Sequence, residues 1–236
     1  MKLTSQTLSI VGPKGAYQDC SLAPLNKDDF WVAAIADGVG GYAGGETAAK
    51  IAISEVESSL TSFGLMDEIF ARASAEIRRQ ASENQSLAKM STTLTCLSIE
   101  NGVAEVGHVG DTRITHFRGP GVLSRTEDQT EVQRLLKNGI ITRGQAKRHP
   151  RQNVIYSALS GRNADYTLYQ NSFDVQPGDR IILSTDGFHS LFTRRELAGI
   201  SQGCVDLESF FARVQSELPQ RKISDDATAV FIEVSR

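Results

Sequence analysis

Twice in this chain a short hydrophobic run suited to a buried strand delivers a carboxylate directly onto a glycine: WVAAIADG, ending at Asp37-Gly38, and RIILSTDG, ending at Asp186-Gly187. A strand built from Val, Ile, Leu and Ala needs no terminal acid to fold, and a carboxylate at the lip of a core loses hydration that a partner must restore. The arrangement recurs in VGHVGDTR, where Asp111 follows Gly110, and in reverse in SDDATAVFIEV, where Asp225 and Asp226 precede the last strand-like run. In an antiparallel sheet the end of one strand lies beside the start of its neighbour, so these acids can converge on one edge. Such crowding is unfavourable unless cations fill it, and hard divalent cations with oxygen ligands do so. The glycines after Asp37 and Asp186 are expected to bend the backbone sharply and bring a carbonyl within reach of an ion. Any one Asp-Gly pair reads as a turn. The repeated pattern reads as a metal centre.

Periodicity places the rest. Strand-like runs cover Leu8 to Val11, Phe30 to Ala36, Thr92 to Ile99, Ala104 to Val109, Arg113 to Arg118, Arg180 to Ser184 and Ala227 to Val234, each bounded by Gly, Asn, Asp or Pro. Apolar residues recur every fourth position over Glu46 to Leu60 and Asp67 to Ser82, predicting helices, and a third helix is expected from Leu207 to Leu218 with Asp206 as its N-cap. Asn101-Gly102 between two strand-like runs predicts a tight hairpin. Consecutive strands with short connections give an α+β fold of layered antiparallel sheets with helices packed outside.

The 236 residues carry a net charge of −3, which argues against a general nucleic-acid binder with a broad basic face. A hydrophobic fraction of 40% and a charged fraction of 22% describe an ordinary globular chain. No window approaches the roughly 20 apolar residues of a membrane span, and the N-terminus has no signal-peptide core, so the cytoplasm is expected. Cys20, Cys96 and Cys204 form no CxxC pair and indicate neither a disulfide framework nor a structural zinc site. With no repeats or linker-like tracts, residues 1–236 read as one domain.

In order along the chain stand GPKGAYQD, ADGVGG, MSTTLTCL, GHVGDTR, RHPRQNVIYSAL, GDRIILSTDG and SDDATAV. This ordered set resembles the metal-dependent protein phosphatases of type 2C, in particular the compact bacterial members. The resemblance implies a four-layer αββα sandwich of two antiparallel sheets with helices on both outer faces. It implies metal-dependent hydrolysis of phosphoserine and phosphothreonine in proteins by a water activated between two Mn²⁺ or Mg²⁺ ions, without a phosphoenzyme. Asp37 would bridge the two ions, the Gly38 carbonyl would help on the second, and Asp186 and Asp225 would hold the first. Asp111 would bind a third, weaker ion, and Asp19 would orient water in the shell of the second. The partner is then a phosphoprotein, opposing a serine/threonine kinase, with no nucleic acid or membrane involved and the chain acting as a monomer.

Several positions depart from the family pattern. Lys14 stands where an arginine usually meets the substrate phosphate, replacing a bidentate fork by a point charge. Gln18 stands where many animal members have a glutamate ligand, so the second metal is expected to be held more weakly, through water. Tyr17 replaces a usual asparagine, and Val39 a histidine proposed as general acid. His108, on a strand, is expected to be a core or edge histidine. The basic stretch Arg143 to Arg151 falls in a flap-like segment around 130–153, where its charge is either solvated or attracts acidic phosphopeptides. The departures at Lys14, Tyr17 and Gln18 motivate an alternative, a catalytically weak or silent relative that binds a partner.

Overall fold

The computed structural model describes residues 1–13, 15–28, 30–39, 44–59 and 62–236. Strands β1 (Lys2–Ile10), β2 (Asp19–Lys27) and β3 (Phe30–Asp37) lead into helices α1 (Gly45–Ser59) and α2 (Met66–Glu83). Strands β4 (Ser91–Thr92), β5 (Leu94–Glu100), β6 (Val103–Val109), β7 (Arg113–Arg118) and β8 (Gly121–Ser124) follow, then short helices α3 (Glu131–Lys137) and α4 (Arg143–Ala146). The chain continues through β9 (Leu159–Ser160), β10 (Tyr169–Asp174), β11 (Arg180–Ser184), α5 (Asp186–His189), α6 (Arg194–Gln202) and α7 (Leu207–Glu217) to the closing strand β12 (Ala227–Ser235). One five-stranded sheet has the order β1-β12-β11-β7-β8 and the other β10-β6-β5-β3-β2, while β4 and β9 form a small ribbon. The strand pairs in both large sheets are antiparallel.

The unbroken apolar run of β3 has a direct cause. Successive side chains of a strand point to opposite faces, and both faces of β3 are covered. Phe30, Val32, Ala34 and Ala36 pack in a cluster with Ala48, Ala52 and Val56 of α1 and Ile69, Phe70 and Ile77 of α2. Ala33 and Ile35 point the other way, into the core between the sheets, with Leu97, Ile181, Leu183, Val230 and Ile232. Alanines on both α1 and β3 let the helix approach the sheet closely. The outer face of β12 presents Ala227, Ala229 and Phe231 to Phe188, Leu207, Phe210 and Val214. The order of layers is helices, sheet, sheet, helices, the αββα sandwich expected from the sequence. Each such Leu, Ile or Phe contributes about 1.5–3 kcal/mol on burial.

Local signals are realised closely. Asn101 and Gly102 have φ of 48° and 82°, the left-handed pair required by the tight β5–β6 hairpin. Asp206 caps α7, accepting from the Ser209 N–H at 2.8 Å. The end of the first predicted helix, Leu60, lies outside the described residues. Other boundaries differ. β1 runs back to Lys2 because it pairs along its full length with β12, from Lys2 with Ser235 to Ile10 with Ala227. β2 carries no strand signal, since Pro24 interrupts it. It is an edge strand whose register shifts between Leu22 and Leu25, where proline costs no ladder bond. α5 and α6 also escape the periodicity, being only 4 and 9 residues long.

Candidate metal centre

The acids converge through the sheet register. Asp37 ends β3 directly opposite Asp19 at the start of β2. In the other sheet β11 stops beside the start of β12, where the Thr185 N–H donates to the Thr228 carbonyl at 3.0 Å, so Asp186 and Asp225 emerge together. Asp111 leaves the turn between β6 and β7. Asp37, Asp111, Asp186 and Asp225, with Gln18 and Gly38, line one cavity of about 240 Å³.

The electrostatics record the crowding. Burial, then the charges of Asp19, Asp186, Asp111 and Asp225, hold the Asp37 carboxyl well above the usual carboxylate range. Burial and the Asp186 charge push Asp111 up to about 7. Asp19 is raised to about 6, chiefly by burial, although the hydroxyls of Thr228 and Thr185 favour its charge. The nearby guanidinium of Arg113 is engaged by Asp128 through contacts of 2.8 and 2.5 Å. The donor set is therefore rich in carboxylate oxygen and poor in counter-charge, the chemistry that suits hard divalent cations with water completing their shells. Among the described residues no three His, Cys, Asp or Glu side chains are already drawn into a closed cage. The three free cysteines do not line the cavity.

The two Asp-Gly glycines act differently from the sequence expectation. Neither Gly38 nor Gly187 has positive φ, and Asp186-Gly187 begins helix α5 with Thr185 at the N-cap position. What requires glycine is another backbone. A Cβ on Gly187 would lie 1.9 Å from the Asp226 carbonyl oxygen, and one on Gly38 would lie 2.4 Å from the Gly45 carbonyl carbon. Small size lets two acid-bearing segments touch at Gly187 and lets the end of β3 meet the start of α1 at Gly38.

Residues without a sequence assignment brace the site. Thr93 Oγ1 accepts from the Asp37 N–H at 2.9 Å, while the Thr93 N–H and Thr92 Oγ1 each donate to the Asp37 carbonyl at 2.9 Å. The MSTTLTCL motif thus fixes the Asp37 backbone. Asp226, beside the ligand candidate Asp225, accepts from the N–H groups of Gly12 at 2.7 Å and Gln18 at 2.8 Å. It ties the segment between β1 and β2 to the start of β12. Only its tertiary partners distinguish it from Asp225. Gln18 borders the cavity while its carbonyl accepts from the Gly38 N–H at 3.1 Å. Lys14 lies outside the described residues.

The histidines near the site stay neutral. His108 is fully buried, with Nε2 donating to the Glu127 carbonyl at 3.1 Å and Nδ1 accepting from Thr95 Oγ1 at 2.8 Å. Burial lowers it to about 4, the behaviour of a core histidine. His189 donates from Nε2 to the Asp111 carbonyl at 3.2 Å and is likewise lowered to about 4 by burial. Val39 lines the cavity, so no side-chain acid is supplied from that position. The excursion carrying α3 and α4 is closed at its base by Glu131 N–H donating to Val154 at 2.8 Å and Tyr156 N–H donating to Gln129 at 2.8 Å. Asn153 and Ile155 from this base reach the cavity wall. In the basic stretch Arg151 pairs with Glu131 at 2.5 Å, whereas Arg143, Lys147 and Arg148 are exposed.

Similarity to known proteins agrees with this geometry. Serine/threonine protein phosphatase PstP of Mycobacterium tuberculosis is 31% identical over 183 residues, 73% of this chain, which spans 35% of the length of that relative. The structure of serine/threonine phosphatase Stp1 from Staphylococcus aureus superposes with a TM-score of 0.90 at 19% identity, over 100% of this chain and 96% of that one. The catalytic domain of PstP in complex with two manganese ions superposes with a TM-score of 0.83 at 24% identity, over 99% of each chain. The sequence model of protein phosphatase 2C matches residues 15–229, nearly the whole chain, and the chain belongs to that family.

Proposed function

We propose that this chain is a metal-dependent protein serine/threonine phosphatase that hydrolyses phosphoserine and phosphothreonine at the acidic cavity. The observation that carries the reading is the convergence of Asp37, Asp111, Asp186 and Asp225 on one opening. The two manganese ions of the PstP catalytic domain, which shares this fold, fit the same chemistry. Asp37, the Gly38 carbonyl, Asp186 and Asp225 would hold two Mn²⁺ or Mg²⁺ ions, with Asp111 serving a third and Gln18 and Asp19 acting through water. Bound there, such ions acidify water and neutralise the oxygens of a phosphoryl group undergoing in-line displacement.

The chain's own residues hold the machinery in place. Thr92 and Thr93 lock the Asp37 backbone and so fix the point from which this carboxylate projects. Asp226 anchors the segment leading from β1 into Gln18 and Asp19. Lys14, from the sequence, would meet the substrate phosphate. Residues 1–236 would act as one monomeric catalytic domain in the cytoplasm, with the segment around 130–153 as a flap over a phosphoprotein that a serine/threonine kinase has modified. Among the described residues no helix is long and apolar enough to cross a membrane. The silent-module alternative draws no support from relatives that are named phosphatases.

The test is hydrolysis of a phosphothreonine peptide with Mn²⁺ and with chelator. Mn²⁺-dependent release of phosphate that Asp186→Asn abolishes is the expected result. Release that is indifferent to Mn²⁺, or an Asp186→Asn variant as active as the parent, overturns the reading.

A further inference from the structure

Tyr17 replaces the asparagine usual at its position, and its hydroxyl has a definite place. Ser9 and Thr228 are direct partners across the β1–β12 pair. The Tyr17 hydroxyl lies 2.5 Å from Thr228 Oγ1 and is also hydrogen-bonded by the Ser9 side chain. Thr228 Oγ1 gives its single proton to Asp19 Oδ2 at 2.7 Å. Its oxygen must therefore accept from Tyr17, which makes the phenol the donor. Thr185 Oγ1 donates to the same Asp19 Oδ2 at 2.9 Å and is itself fixed by the Thr228 N–H at 3.0 Å. Among the described residues both hydrogen bonds to the Asp19 side chain thus fall on one oxygen. Among the described residues nothing donates to Oδ1.

We propose that Tyr17 is a positioning residue for the metal centre: by donating to Thr228 it holds that hydroxyl aimed at Asp19 Oδ2 and so reserves Asp19 Oδ1 for the water shell of the ions. The inference rests on the metal-centre reading above. Its physical basis is the chain of three hydroxyl and carboxylate groups, in which each donor direction is set by the bond before it. A threonine hydroxyl released from Tyr17 can rotate to other acceptors, including the backbone, and Asp19 can then turn its carboxylate. Partners behind a metal's immediate shell act in this manner, and their loss costs about 10–100-fold in metal affinity or activity.

The test compares Tyr17→Phe, Thr228→Val and the double variant. Phenylalanine keeps the half-buried ring and removes only the hydroxyl, and the melting temperature in chelator checks that the fold is intact. Calorimetric titration with Mn²⁺ alone supplies a readout independent of turnover. Tyr17→Phe is expected to weaken Mn²⁺ binding and to lower kcat, each about tenfold, with KM for a phosphopeptide unchanged. In the Thr228→Val background the same substitution should change neither quantity, because the route to Asp19 is already cut. Ser9→Ala, which removes the other bond to the phenol, should leave Mn²⁺ affinity as it is. Equal Mn²⁺ affinity and kcat in Tyr17→Phe and the parent overturn the inference, as does a Tyr17→Phe effect of the same size with and without Thr228. A parent that neither binds Mn²⁺ nor hydrolyses the peptide would instead overturn the function on which it rests.

Discussion

Asp19 and Asp37 stand directly opposite each other across the β2–β3 pair. Like charges at opposed positions destabilise a sheet, and here burial adds to the repulsion. The fold answers from behind. Thr185 and Thr228 donate to Asp19, and Thr92 and Thr93 grip the Asp37 backbone. Stability without metal and readiness to bind it are therefore opposed in the same residues.

Asp37→Asn should separate the two. Turnover with Mn²⁺ is expected to fall to a small residue of the parent value, while the melting temperature in chelator rises, because a carboxylate held well above its usual range is removed. Phosphate release and thermal melting on the same samples check both halves.

The pH dependence has a determined sign. Asp111, raised to about 7, and Asp37, held well above the usual carboxylate range, bind protons in the folded state that the unfolded chain released near 3.8. The stability they contribute is present at low pH and is lost as pH rises through their folded values. Between about 4 and 6.5, the buried His108 and His189 act in the opposite direction, since the unfolded chain binds their protons. Above about 6.5 the histidine contribution fades and the acids dominate. The melting temperature in chelator should thus decline from pH 6.5 to 8, Asp111→Asn should flatten the decline, and saturating Mn²⁺ should remove it by keeping the carboxylates ionised at every pH.

Gly187→Ala should destabilise the protein severely. The added Cβ would fall 1.9 Å from the Asp226 carbonyl oxygen, a backbone atom that cannot yield without moving β12. Overpacking of this kind costs about 1–3 kcal/mol or more, roughly 2–12 °C in melting temperature for a chain of this size. Activity should fall with it, since Asp186 is adjacent. Gly199→Ala on α6 is the matched comparison, because its Cβ meets open space. It should raise the melting temperature by roughly 2–4 °C through helix propensity alone.

Thr93→Val should lower kcat without raising KM for a phosphopeptide. Thr93 is buried, and valine leaves the Asp37 N–H without its acceptor at a cost of about 1–3 kcal/mol. Thr93→Ser keeps the hydroxyl and should recover most of the loss. Steady-state kinetics at saturating Mn²⁺ distinguish the two variants.

What the amino-acid order determined by itself is whatever depends on near neighbours. The double-sided apolar run of β3, the Asn101-Gly102 turn, the Asp206 cap and the fourfold spacing of α1 and α2 each follow from residues a few positions apart. The acids at strand ends are legible for the same reason, as a carboxylate after a buried run is a local contradiction. The tertiary structure decided what those signals could not carry. It paired β1 with β12 from end to end, made Asp226 an anchor for the Gly12 and Gln18 backbone while both it and Asp225 line the cavity, and laid Tyr17 over Thr228. It also gave Gly38 and Gly187 their reason, the passage of a distant backbone rather than a turn. Strand register and close approach join residues up to more than 200 positions apart, as Tyr17 and Thr228 are, and no periodicity in the chain encodes such a contact.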